Sequence, residues 1–318
     1  MAFINALPGA VAQGLIWGLM AIGIYISYKI LDIADLSVDG SFATGGCVCV
    51  VLVAHGAPIW LSMLAAFVCG ALAGTVTGIL HTVLGIPSIL AGILTQLALY
   101  SVNIQIIMKG RSNYPFSSIP YYTGNEFSPT DLLLRSSEKW LSIGVGVAFT
   151  AATIVILWLF FYTEVGLTIK STGDNPDMSR AQGINVNLNK VLGLAISNGI
   201  VALAGSLLAQ YQGYADVGMG TGAIVTGLAA IFIGLTVSMK IKPNFVVSLI
   251  GVVGGGIVYF IVFTLVMMLG MHTNYLKLFS AIIVAVFISA PYLKGKLKRV
   301  RPVATISHES KEGENENA

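Results

Sequence analysis

Asp32, Asp35 and Asp39 stand three and four residues apart, a spacing that would put three carboxylates on one face of a helix. Acidic groups paired near a membrane interface could serve an enzyme acting on a lipid or polyprenyl group. The rest of such a site is missing. His55 and His81 are solitary loop residues, and no histidine pairs with a carboxylate at metal-site or triad spacing. Cys47, Cys49 and Cys69 lie in apolar runs without zinc-ligand spacing and read as small buried hydrophobes. No Gly-Xaa4-Gly-Lys-Ser/Thr phosphate loop occurs, so any energy source is another chain or an ion gradient.

Composition names the solvent. The 318 residues are 56% hydrophobic and only 10% charged, with a mean hydropathy of +0.85. Soluble domains carry about 25% charged residues, so lipid is the environment that tolerates this chain. The net charge of +3 is too small to suggest a nucleic-acid partner. No basic stretch precedes the first apolar run, so no cleaved signal peptide is expected.

The elements follow from bilayer thickness. A span needs about 20 apolar residues, and nine segments qualify: 8–28, 36–54, 57–80, 86–108, 139–162, 189–211, 222–239, 244–270 and 273–292. The segment 36–54 begins with acidic residues and reads as a broken or re-entrant helix. The alternation that marks a membrane barrel is absent. The expected fold is an all-α polytopic bundle of about eight to ten helices. One membrane domain covers 1–298, and a polar, disordered cytoplasmic tail covers 299–318. Lys29, Lys170, Arg180, Lys190, Lys240, Lys242 and the basic run 294–301 share one side if the segments alternate. That side is cytoplasmic by the positive-inside rule, with the N-terminus outside and the C-terminus inside. Asp32, Asp35, Asp39 and Glu164 then fall near cytoplasmic ends and Asp216 in an outer loop, with no acid or base expected at mid-depth.

Polar residues inside the spans are few: Gln13, Gln96, Asn103, Gln105, Asn198 and Gln210. They should face the bundle interior. Asn198, Gln210, Asn103 and Gln105 could line a path for a polar solute or bond helix to helix. Glycines recur at four-residue steps, at Gly14 and Gly18, at Gly70, Gly74 and Gly78, and at Gly251 and Gly255. Such faces serve close packing within the subunit or a dimer seam.

Two loops are long, 109–138 outside and 163–188 inside. The inner one spells a short helix. Asn175 is a good N-cap, Pro176 fits the first helical position, Asp177 suits the positive end, Arg180 the last turn, and Gly183 the terminating position. So short a helix is marginal alone and needs a surface to dock on, either its own protein or a cytoplasmic partner.

The stretch from Glu164 through Gly173, Asn175, Pro176, Asp177, Met178, Arg180 and Ala181 to Gly183-Ile184-Asn185 resembles the coupling loop of the branched-chain amino acid and ribose permease family of ABC importers. Residues 33–42, containing Asp35-Leu36-Ser37-Val38, are similar to that family's Asp-Leu-Ser-Val segment. Asp39 follows the Val where sugar-type members tend to have Gly, which is closer to the branch proposed to carry aromatic or other amino acids. The resemblance covers roughly residues 5–295. It implies a permease of the cytoplasmic membrane whose 163–188 helix docks on a separate ATPase. ATP and Mg would be held by that ATPase, with no cofactor in this chain. The implied partners are ATPase subunits, an extracytoplasmic substrate-binding protein, a second copy of the permease and membrane lipid. Asp35 and Ser37 join the path residues. The alternative is an ATP-independent secondary transporter or channel.

Overall fold

The computed structural model describes residues 2–118, 132–134, 139–238 and 244–268, with single positions between 278 and 289. The expected last span at 273–292, the tail and most of the outer loop lie essentially outside the described residues. Within them the chain is an all-α bundle. The helices are α1 (Ala2–Tyr25), α2 (Val38–Ala54), α3 (Ile59–Thr82), α4 (Ser88–Val102), α5 (Lys139–Phe161), α6 (Glu164–Asp174), α7 (Pro176–Ala181), α8 (Val186–Gln212), α9 (Ala223–Ser238) and α10 (Phe245–Met268). Six are long and apolar enough to cross a membrane, and α2 and α9 are shorter apolar helices. The only sheet among the described residues is a two-stranded antiparallel ribbon of β1 (Asn113–Pro115) and β2 (Tyr214–Asp216).

At the centre stands α8, packed against α1, α2 and α3. Glycine makes this possible. A Cβ at Gly74 would run into the Leu194 carbonyl, and one at Gly78 would sit 2.8 Å from Val191 Cα. The Gly14–Gly18 pair meets Ile257 and Val253 of α10, while Gly251 and Gly255 meet Gly234 and Ala230 of α9. All three small-residue faces therefore pack inside the subunit. With no hydrophobic drive between helices in lipid, such close approach supplies much of the association.

The bundle has two ends. Gly9 of α1 lies beside Tyr211 of α8, near the ribbon. At the other end Ile30 abuts Gly173 of α6. α1 finishes in a π-helical turn, Ile26–Ile30, and the chain then reverses at Asp32, whose φ of 54° is left-handed. Aspartate tolerates that region better than most residues. Residues 31–37 run back into the bundle without helix, and α2 starts from there.

Candidate functional site

The α6–α7 elbow closes one end of the bundle. Thr163 caps α6 by accepting a hydrogen bond from Gly166 N. Asn175 Oδ1 accepts from Met178 N at 3.0 Å and caps α7, Pro176 occupies its first turn, and Gly183 takes a φ of 79° just past its end. Asp177 and Arg180 pair at 3.3 Å on the exposed surface, an arrangement worth little in water. Ser179 is buried, and its hydroxyl lies 2.8 Å from that of Ser171. Asn189 Nδ2 donates to Thr172 Oγ1 at 3.0 Å and ties α6 to α8. The outward face carries Met178, 59% exposed, together with Ala181 and Leu188.

The second constellation lies at mid-depth. Asn198 sits midway along α8 and is fully buried. Its Nδ2 donates to Asp35 Oδ2 at 2.7 Å and to the Leu194 carbonyl at 3.1 Å. Ser37 N donates to Asp35 Oδ1 at 2.8 Å, and the Ser37 hydroxyl lies 2.6 Å from the same oxygen and 3.2 Å from Asn198 Oδ1. Asp35, Ser37 and Asn198 are thus one hydrogen-bonded unit. The acidic residues do not share a helical face near a membrane end. Asp32 is in the exposed turn, whereas Asp35 is 2% exposed at mid-depth. The physical reason is re-entry: buried non-helical backbone is tolerated at this depth where protein covers it, and Gly92 of α4 lets that helix close on Leu36 and Ser37.

Asp39 completes the junction. Its Oδ2 and Oδ1 accept from Gly222 N and Ile224 N, both at 2.9 Å, at the start of α9. Gly220 is obligatory here, because a Cβ would run into the Asp39 carbonyl. α2 and α9 therefore begin close together at mid-depth. α2 runs to the ribbon end, where Val51, Ala54 and His55 share a cleft of about 400 Å³ with Tyr114. α9 runs the opposite way, with Phe232 against Tyr28 at 6.1 Å between ring centroids. Each helix start carries roughly half a positive charge, and each meets one carboxylate, Asp35 for α2 and Asp39 for α9.

The remaining expected path residues are scattered. Gln210 is buried near the ribbon end, with Nε2 3.8 Å from Cys49 Sγ and Oε1 without a partner among the described residues. Gln105 is exposed. Asn103 is fully buried at the start of a second π-helical turn, Asn103–Ile107, and neither polar atom of its side chain has a partner among the described residues.

Residues 7–290 match the family model described as branched-chain amino acid transport system / permease component. The chain belongs to this family. Among its relatives, a tyrosine transport system permease protein of Clostridioides difficile is 38% identical over 295 residues, covering 93% of this chain and 94% of that one. The ribose import permease protein of Haemophilus influenzae is 27% identical, covering 73% and 69%. A solved complex, PsaBC from Streptococcus pneumoniae with Fab, is similar at a TM-score of 0.49 and 17% identity over 93% of this chain and 96% of that one. Likeness at that level supports nothing further. This permease is accordingly a multi-pass protein of the cytoplasmic membrane.

Sequence reasoning passed over two parts of the permease. Helix α6 lies in what the sequence presents as loop, since Gly166, Thr168, Thr172 and Gly173 are indifferent helix formers. Its signal was the burial pattern Gly166, Ile169 and Thr172 at steps of three. The sequence marks Asp39 as one of three acids and as a departure from sugar-type members, but not as the cap of α9. Its role depends on a partner segment 183 residues away.

Proposed function

We propose that this permease is the membrane-spanning subunit of an ATP-driven importer for a small amino-acid solute. The energy comes from separate ATPase subunits that dock on α7 from the cytoplasm, and an extracytoplasmic binding protein delivers the solute. Two copies of the chain, giving two coupling helices, match the closed two-fold symmetry commonest among oligomers. The 38% identity to a tyrosine permease favours an aromatic amino acid as the first solute to try.

One observation carries the reading: a fully capped helix of only six residues holds Met178 out, 59% exposed, at the end of the bundle. So short a helix stays folded because Ser179 and Ser171 pin it to α6. A flexible apolar side chain held out in this way suits a partner's apolar pocket. A push on α7 has a short route inward. α6 touches the end of α1 through Gly173 and Ile30, and Leu31 packs on Gly193 of α8. Residues 31–37 then lead to Asp35 and Asn198.

The mid-depth carboxylate and the broken helices are features that ion-coupled transporters also use. Here Asp35 has both oxygens engaged by Ser37 and Asn198, which suits a strut better than a proton relay. Copurification of the ATPase with Met178→Asp and Arg180→Glu permeases tests the docking. Loss of the ATPase from Met178→Asp is expected. Wild-type association and uptake in both variants would refute it.

A further inference from the structure

Beside the mid-depth junction a small cleft of about 110 Å³ opens between α2, α4 and the turn before α9. Asp39, Gln96, Tyr100, Asn103 and Thr221 supply its polar lining. Two independent features make it more than a gap. Asp39 has no cationic partner among the described residues; its carboxylate accepts only from the start of α9. Asn103, fully buried, presents an amide whose donor and acceptor are both unsatisfied among the described residues. A buried amide without a partner is a standing cost in a folded protein, and such groups commonly await a ligand or water.

We infer that this cleft is a half-site for the ammonium end of the transported solute, with Asp39 as counter-charge and Asn103 as the orienting amide. This rests on the importer reading above and adds the residues and the ligand chemistry. A carboxylate offers about four acceptor directions, so the backbone N–H groups of Gly222, Ala223 and Ile224 leave one for an ammonium. The Asn103 amide oxygen can accept from the same ammonium, while its nitrogen and the Gln96 amide can meet the solute's polar groups beyond it. The volume is well below the roughly 300 Å³ at which drug-sized pockets begin. It fits one end of a molecule, the rest lying at the lip beside exposed Tyr100 and Leu97. The turn that carries Thr221 belongs to the segment entering α9, so filling the cleft would bear on the same junction that residues 31–37 reach from below.

The test is charge-selective labelling of the full permease in nanodiscs. Thr221→Cys is introduced in a Cys69→Ala background, since Cys47 and Cys49 are buried and Cys69 is only partly so. The cationic reagent 2-aminoethyl methanethiosulfonate should react on the order of tenfold faster than the anionic 2-sulfonatoethyl reagent. Ethylammonium should slow labelling, and acetate should not. Asp39→Asn should cut the charge preference severalfold, to what Asp216 in the same turn supports, and Asn103→Leu should abolish ethylammonium protection while leaving the preference. Equal rates with both reagents, no labelling by either, or protection unchanged in both variants would overturn the proposal. The assay needs neither ATP nor ATPase, so a failure of ATP-driven uptake leaves its result standing.

Discussion

Replacing Asn198 by alanine should remove the central tie between α8 and the re-entrant segment. Two interactions between α8 and that segment disappear, besides the contact with the Leu194 carbonyl within α8. The first is the 2.7 Å bond to Asp35 Oδ2, a charge-assisted contact of about 1.5–3 kcal/mol. The second is the 3.2 Å contact with the Ser37 hydroxyl, whose one proton is shared with Asp35 Oδ1 at 2.6 Å, so it adds at most about 0.6 kcal/mol. Asp35 Oδ1 keeps both Ser37 donors, so the carboxylate is half stranded rather than wholly so. The net loss is about 2–4 kcal/mol, part of it the desolvation of an oxygen left alone. Equilibrium unfolding of the purified permease in mixed micelles measures it. The structure also predicts coupling: in an Asp35→Ala background the same change should cost at least about 1 kcal/mol less. A single-mutant loss below about 0.5 kcal/mol, or an identical loss in both backgrounds, would refute the reasoning.

Three further outcomes are expected. Gly173→Val drives a branched side chain into the Ile30 carbonyl; it should cost about 1–3 kcal/mol by overpacking and lower uptake with the ATPase still bound. Asn175→Ala removes the α7 cap, worth about 1 kcal/mol, and should weaken ATPase copurification, with Asn175→Asp restoring it. Asn103→Leu removes two stranded polar groups and should raise unfolding stability by about 1–3 kcal/mol while lowering uptake. A fall in stability would mean that Asn103 is a structural residue.

Eight of the nine expected spans correspond to helices, because long apolar runs in lipid have one solution. α7 was equally legible, since Asn175, Pro176 and Gly183 act on their immediate neighbours. The junction was not. The start at Val38 could be suspected from the acids before it, but the depth of that start depends on how residues 31–37 lie against Asn198, a contact across 163 positions. α9 posed the same difficulty. Its apolar run gives its length, yet its cap is Asp39 from another helix. The path residues chosen by polarity alone divided accordingly. Asn198 met Asp35 and Ser37, whereas Gln210 and Gln105 lie elsewhere, because polarity marks a residue as needing a partner without saying which.

The role proposed for this permease is movement of an amino acid at the expense of ATP hydrolysed by another chain. Uptake of radiolabelled L-tyrosine into proteoliposomes tests it directly, with permease, its ATPase and its binding protein reconstituted together. Accumulation is expected to require ATP and all three components, to find no substitute in imposed sodium or proton gradients, and to fall at least tenfold with Met178→Asp. Accumulation driven by an ion gradient through the permease alone would contradict it.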